Sequence, residues 1–200
     1  MNPIRLQDSD ALLVIDMQYD FLPGGSLGVP LGDEVLAPIN ALMASFAARG
    51  LPVYASRDWH PENHCSFAER GGPWPPHCVA ETRGAAFSEA LQLPADTVII
   101  SKADSADVDA YSAFNGTALA DHLRQHGSAR VFVCGLATDY CVLNTALDAL
   151  ANGFETVIVP EAMRAVNVQP QDGELAIARM REAGATTASL AELDQETALA

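Results

Sequence analysis

The sequence predicts an α/β fold in which helices cover both faces of a parallel sheet. Short, continuous apolar runs of strand length alternate with segments whose apolar residues recur at helical spacing. The runs lack in–out alternation, as expected of strands buried on both faces.

Ala11–Ile15 is the first such run. From Glu34 to Arg49, apolar residues at Val35, Ile39, Leu42, Met43 and Phe46 trace one helical face, and Gly50 is the stop. Residues 52–56 and 97–100 read as the second and third strands. A helix is expected from Thr117 to His126, closed by Gly127. The fourth strand is 131–134, and a helix follows from Asp139 to Asn152 with Gly153 after it. The fifth strand, 156–159, is expected to stop at Pro160. A last helix spans 171–183, ahead of a sixth strand at 186–190. Two segments break the rhythm. One is 19–32, rich in Gly and Pro. The other is 58–93, which holds Pro61, Pro73, Pro75, Pro76, both tryptophans and two of the four cysteines. A loop that long in a compact domain is usually functional.

The 200 residues carry 11 Lys+Arg against 26 Asp+Glu, a net charge of −15, with 49% hydrophobic and 18% charged residues. That suits one domain over residues 1–200 with a single sizeable core, and it excludes wholesale disorder. The acid excess argues against nucleic acid or an anionic membrane as partner. Four cysteines without C-x-x-C are too few for a disulfide scaffold, so reduced thiols are expected. The opening MNPIRLQDSD has no basic stretch leading into an apolar one, and no apolar run approaches the roughly 18 residues needed to span a bilayer. A cytoplasmic protein is the expectation. Self-association is left open.

Ligands of parallel sheets bind beyond the carboxyl ends of the strands. Those ends here carry Asp16, the trio Asp58-Trp59-His60, Lys102, and a turn leading to Cys141. Cys141 is the candidate nucleophile. It falls in the first turn of a helix, where the dipole and Lys102 would favour thiolate. Asp16 could take the thiol proton and pass it to a leaving amine, and backbone N–H groups around Cys141 could hold an oxyanion. A second constellation is metal-like. Asp58 and His60 project to one side of an extended chain, and His77 can close the set, leaving open positions suited to catalytic zinc, iron or manganese. His64 and Glu69 are further candidates on the same loop. His122 and His126, four apart but without the Glu of H-E-x-x-H, read as a solvated face. Cys65, Cys78 and Cys134 read as packing thiols.

These segments resemble one family. The stretches are LLVIDMQYDF (12–21), DWHPENHCSF (58–67), WPPHCV (74–79), Lys102 and GLATDYCV (135–142). They resemble the nicotinamidases/pyrazinamidases of the isochorismatase-like hydrolases, in order from about residue 10 to 190. The resemblance implies a three-layer α/β/α sandwich with strand order 3-2-1-4-5-6, which sets strands one and four side by side and Asp16 near Cys141. It implies Asp16, Lys102 and Cys141 as catalytic triad, and Asp58, His60 and His77 as ligands of one divalent metal ion, with Glu69 where an acidic ligand stands in part of the family. It implies a cis Leu136–Ala137 peptide that aims the Ala137 N–H at the oxyanion, and Phe21, Trp74, Tyr111 and Leu136 around a flat substrate. The activity implied is hydrolysis of nicotinamide, a small neutral aromatic amide, to nicotinate and ammonia through a Cys141 thioester, as a step of NAD salvage. Pyrazinamide is the expected second substrate.

Three other readings compete. One is a related C–N hydrolase acting on an N-carbamoyl, ureido or maleamate-type amide, which would want an arginine in the pocket; Arg57 and Arg83 are the nearest. Another is a metal hydrolase in which Cys141 is structural. The third is a silent binding module, which the intact Asp16, Lys102 and Cys141 disfavour.

Overall fold

The computed structural model describes residues 4–194. The first three residues, part of the stretch in which no secretion signal is expected, and the last six residues of the expected 1–200 domain lie outside it. Six parallel strands form one sheet in the order β3-β2-β1-β4-β5-β6. They are β1 (Asp10–Ile15), β2 (Val53–Asp58), β3 (Val98–Lys102), β4 (Arg130–Leu136), β5 (Glu155–Arg164) and β6 (Thr186–Thr187). The expected order is the observed one.

Every residue of β1 is buried, and from Ala11 to Ile15 it reads as an unbroken apolar run. Its side chains alternate between two cores. Leu12 and Val14 pack with Ile39, Leu42, Met43 and Phe46 of α1 (Leu36–Ala48). Ala11, Leu13 and Ile15 pack in the other layer. That layer holds α2 (Leu119–Gln125), α3 (Leu143–Ala151) and α4 (Asp172–Glu182). These are the three layers. Among the described residues, no helix is long and apolar enough to cross a membrane.

Element ends differ from the sequence reading in informative ways. β5 does not stop at Pro160 but runs on to Arg164. Its register with β4 jumps between Val133–Ile158 and Gly135–Met163. Pro160 sits inside that jump, where its missing N–H costs no ladder bond. β6 ends at Thr187 rather than residue 190, because Ser189 and Glu192 form a capping box. The Ser189 N–H donates to Glu192 Oε2 (2.8 Å), and the Glu192 N–H donates to Ser189 Oγ (3.3 Å). That box starts a short helix, α5 (Leu190–Asp194). The helix expected from Asp139 begins instead as a π-helical turn, Thr138–Val142, that leads into α3.

One glycine is required for the site. Gly135 has φ +114°, and a Cβ there would lie 2.2 Å from the Ile15 carbonyl oxygen. Only glycine lets the ends of β1 and β4 close up, and those ends deliver Asp16 and Cys141.

Candidate active site

Asp16 follows β1 with φ +51°, a left-handed conformation that costs a non-glycine residue roughly 1–3 kcal/mol. Its side chain is completely buried. Ser56 Oγ donates to Asp16 Oδ1 at 2.6 Å. Lys102, at the end of β3 and 1% exposed, places Nζ 2.9 Å from Asp16 Oδ2. Lys102 and Asp16 thus form a fully buried ion pair. The same Nζ hydrogen-bonds Asp58 Oδ1 and lies 3.5 Å from Cys141 Sγ. Sγ and one carboxylate oxygen each of Asp16 and Asp58 lie within 4.8 Å of one another.

These charges bias one another. Burial opposes the Lys102 charge, but Asp16 and then Asp58 hold its pKa well above the usual value. Burial pushes Asp58 up, yet Lys102 and His60 outweigh it and keep the carboxylate below its ordinary range. Asp16 is raised, chiefly by burial. Cys141 shifts in the direction opposite to the thiolate that Lys102 would favour. Burial pushes its thiol well up, Lys102 opposes this, and Asp16 and Asp58 add to the rise. Burial thus favours the thiol, and Sγ lies beside the Asp16 carboxyl group that can take its proton.

The second cluster is built by the long loop. His60 pairs in a parallel bridge with Val79, its N–H donating to the Cys78 carbonyl (3.0 Å). That bridge brings His77 beside His60, with ring centroids 4.8 Å apart. Each ring is turned by its Nδ1–H: His60 donates to the Ala103 carbonyl (3.0 Å) and His77 to the Pro75 carbonyl (2.8 Å). That leaves Nε2 of each ring as the nitrogen a metal would meet. Asp58 Oδ2 lies 3.6 Å from His60 Nε2. Asp58, His60 and His77, all buried, offer three donor atoms within 4.8 Å of one another. One carboxylate and two imidazoles suit a divalent ion with open positions.

The other two loop candidates stand apart. His64 stacks on His60 at 4.1 Å, and both its nitrogens are engaged, Nε2 with the Val108 carbonyl (3.1 Å) and Nδ1 with Ser66 Oγ (2.7 Å). It has no lone pair to offer. Glu69 is exposed on a 3-10 turn (Ala68–Arg70) and is not part of the three-donor cluster. His122 and His126 are exposed, as expected.

Asp58, His60, His77 and Cys141 reach one cavity of about 330 Å³, with Asp16 and Lys102 buried behind them. Phe21, Trp74, Tyr111 and Leu136 line it, as does Ala137. Trp74 Nε1–H donates to the Tyr111 hydroxyl at 3.1 Å. The Leu136–Ala137 peptide is cis. Sequence reasoning missed Tyr140, whose ring packs edge-on against Trp74 at 5.6 Å and also lines the cavity. The signal was present, since Tyr140 precedes the candidate nucleophile. It also missed Ser56, which nothing in a buried strand marks as special. Arg57 lies over the Trp59 ring and Arg83 over the Tyr19 ring, and neither lines the cavity. All four cysteines are free.

Residues 10–192 match the Isochorismatase domain model. The chain belongs to the isochorismatase family. Among curated members of that family, it is 41% identical to a nicotinamidase of Escherichia coli (strain K12), over 92% of this chain and 97% of the relative. Among solved structures, it is 50% identical to a pyrazinamidase of Pyrococcus horikoshii in complex with zinc, with a TM-score of 0.87 over 90% of this chain and 99% of that one. The PnC1 protein of L. infantum in complex with nicotinate is 39% identical, with a TM-score of 0.88 over 94% and 97% of the two chains.

Proposed function

We propose that this isochorismatase-family chain is a nicotinamidase that hydrolyses nicotinamide to nicotinate and ammonia, with pyrazinamide as a second substrate. The observation that carries the reading is the meeting of a buried Asp16–Lys102–Cys141 cluster with an Asp58–His60–His77 donor set at one small, aromatic-walled cavity.

In this reading Asp16 takes the Cys141 proton as Sγ bonds to the carboxamide carbon. The N–H groups of Ala137 and Cys141 hold the oxyanion. Asp16 then gives the proton to the amide nitrogen, the C–N bond breaks, and ammonia leaves a nicotinoyl thioester on Cys141. Asp16 next takes a proton from water as the water oxygen attacks the thioester carbon. The C–S bond breaks, Asp16 returns its proton to Cys141, and the nicotinic acid so formed ionises to nicotinate, its proton passing to solvent or to the released ammonia. Lys102 opposes the burial that raises Asp16 and so favours its carboxylate between steps. Phe21, Trp74, Tyr111 and Tyr140 select a flat ring. When bound to Asp58, His60 and His77, a divalent ion supplies a Lewis-acid contact for the pyridine nitrogen; zinc, iron and manganese all suit the donors.

Among the described residues no arginine lines the cavity, which favours a neutral amide over the anionic N-carbamoyl or maleamate-type substrates. Four unpaired thiols support a reducing, cytoplasmic setting. The test is ammonia release from nicotinamide, with and without chelator. Turnover that falls on chelation and returns with added metal supports the reading. No turnover with metal restored, alongside hydrolysis of another small amide, rejects it.

A further inference from the structure

Gln18 is completely buried two residues after Asp16, and none of the chemistry above uses it. Its side chain makes three hydrogen bonds. Oε1 accepts from the Asp58 N–H (2.8 Å). Nε2 donates to the Asp58 carbonyl (2.7 Å) and to the Ala85 carbonyl (2.9 Å).

The sheet explains why a side chain is needed there. In a parallel ladder, alternate residues of a strand point their N–H and C=O to the same neighbour. On β2, Ser56 faces β1, and its carbonyl accepts from the Asp16 N–H (3.2 Å). Asp58, two residues on, faces the same way. By then β1 has ended, its pairing with β2 running only to Ile15–Ser56, and the chain has turned at Asp16. The Gln18 amide takes the place of the missing strand and satisfies both backbone groups of Asp58. Its third bond ties that point to Ala85, on the return leg of the loop that carries His77.

Asp58 needs this fixing because its carboxylate is divided. Oδ1 serves Lys102 and Oδ2 faces His60. A small rotation of the Asp58 backbone would trade one contact for the other. We propose that Gln18 is a positioning residue that locks the Asp58 backbone, so that one carboxylate can serve the metal-binding donor set and Lys102 together. The proposal rests on the reading that Asp58, His60 and His77 hold a divalent ion.

The test measures zinc affinity and apo-protein thermal stability, independently of activity, for wild type, Gln18→Ala, Gln18→Met and His77→Ala. Gln18→Met keeps the length and volume of the side chain, so it reports even where Gln18→Ala does not fold. The expected result is a loss of zinc affinity of about 10–100-fold in folded Gln18→Met, the range seen when a group that orients a ligand is removed. The wild type should bind one zinc and His77→Ala should bind far less. Wild-type zinc affinity in Gln18→Met, with only its melting temperature lowered, would overturn the proposal and leave Gln18 as a structural bond. If His77→Ala keeps full affinity, the metal-site reading fails first, and the Gln18 proposal falls with it.

Discussion

Asp58 meets the Lys102 ammonium through Oδ1 and keeps Oδ2 3.6 Å from His60 Nε2. One carboxylate thus joins the acid–base cluster to the donor set. Lys102 reaches from there to Asp16 and Cys141, so the two constellations share a boundary of one residue.

Lys102→Met therefore strips the partner from two buried carboxylates at once. We expect loss of turnover and a fold weaker by about 3–5 kcal/mol, the cost of leaving a buried charge unpaired. Urea denaturation and ammonia release on the same preparation check both.

Ser56→Ala removes one short hydrogen bond to Asp16 and nothing that touches the cavity. The expected effect is a fall in kcat of about tenfold, equivalent to ~1.4 kcal/mol, with KM unchanged. A rise in KM alone would contradict the role given to Asp16.

In the proposed reaction the aromatic wall acts through binding. Trp74→Ala removes a ring that packs on Tyr140 and donates to Tyr111. KM for nicotinamide is expected to rise by about tenfold, with a smaller change in kcat. Steady-state kinetics separate the two.

Stability should fall as the pH drops below about 6.5. Burial holds His64 below its ordinary value, with His77 shifted the same way. The unfolded chain takes up a proton near pH 6.5. Below that point it binds protons that the folded chain refuses, so unfolding gains. Urea midpoints between roughly pH 8 and pH 5.5 should decline, and His64→Phe should decline less steeply.

Much of the fold and site is legible in the sequence, for a physical reason. Strands buried on both faces read as apolar runs, and strand ends in a parallel sheet converge. The order of the runs and the residues that end them therefore suffice to group Asp16, Asp58, Lys102 and Cys141. What stays hidden depends on partners far along the chain. The extension of β5 through Pro160 depends on a register jump against β4. The upward shift of the Cys141 thiol comes from burial, which outweighs the nearby Lys102. The exclusion of His64 from the donor set depends on the Val108 carbonyl, 44 residues away. Gln18 reads as an ordinary polar residue in a motif, and only the early end of β1 gives its amide a task.

The central claim is that Cys141 carries the nicotinoyl group. Rapid quenching during turnover, followed by peptide mass spectrometry, measures it most directly. The predicted result is a mass increase of one nicotinoyl group on the Cys141 peptide, absent from Cys141→Ala, which should also be inactive. An unmodified Cys141 peptide together with retained turnover in Cys141→Ala would contradict it.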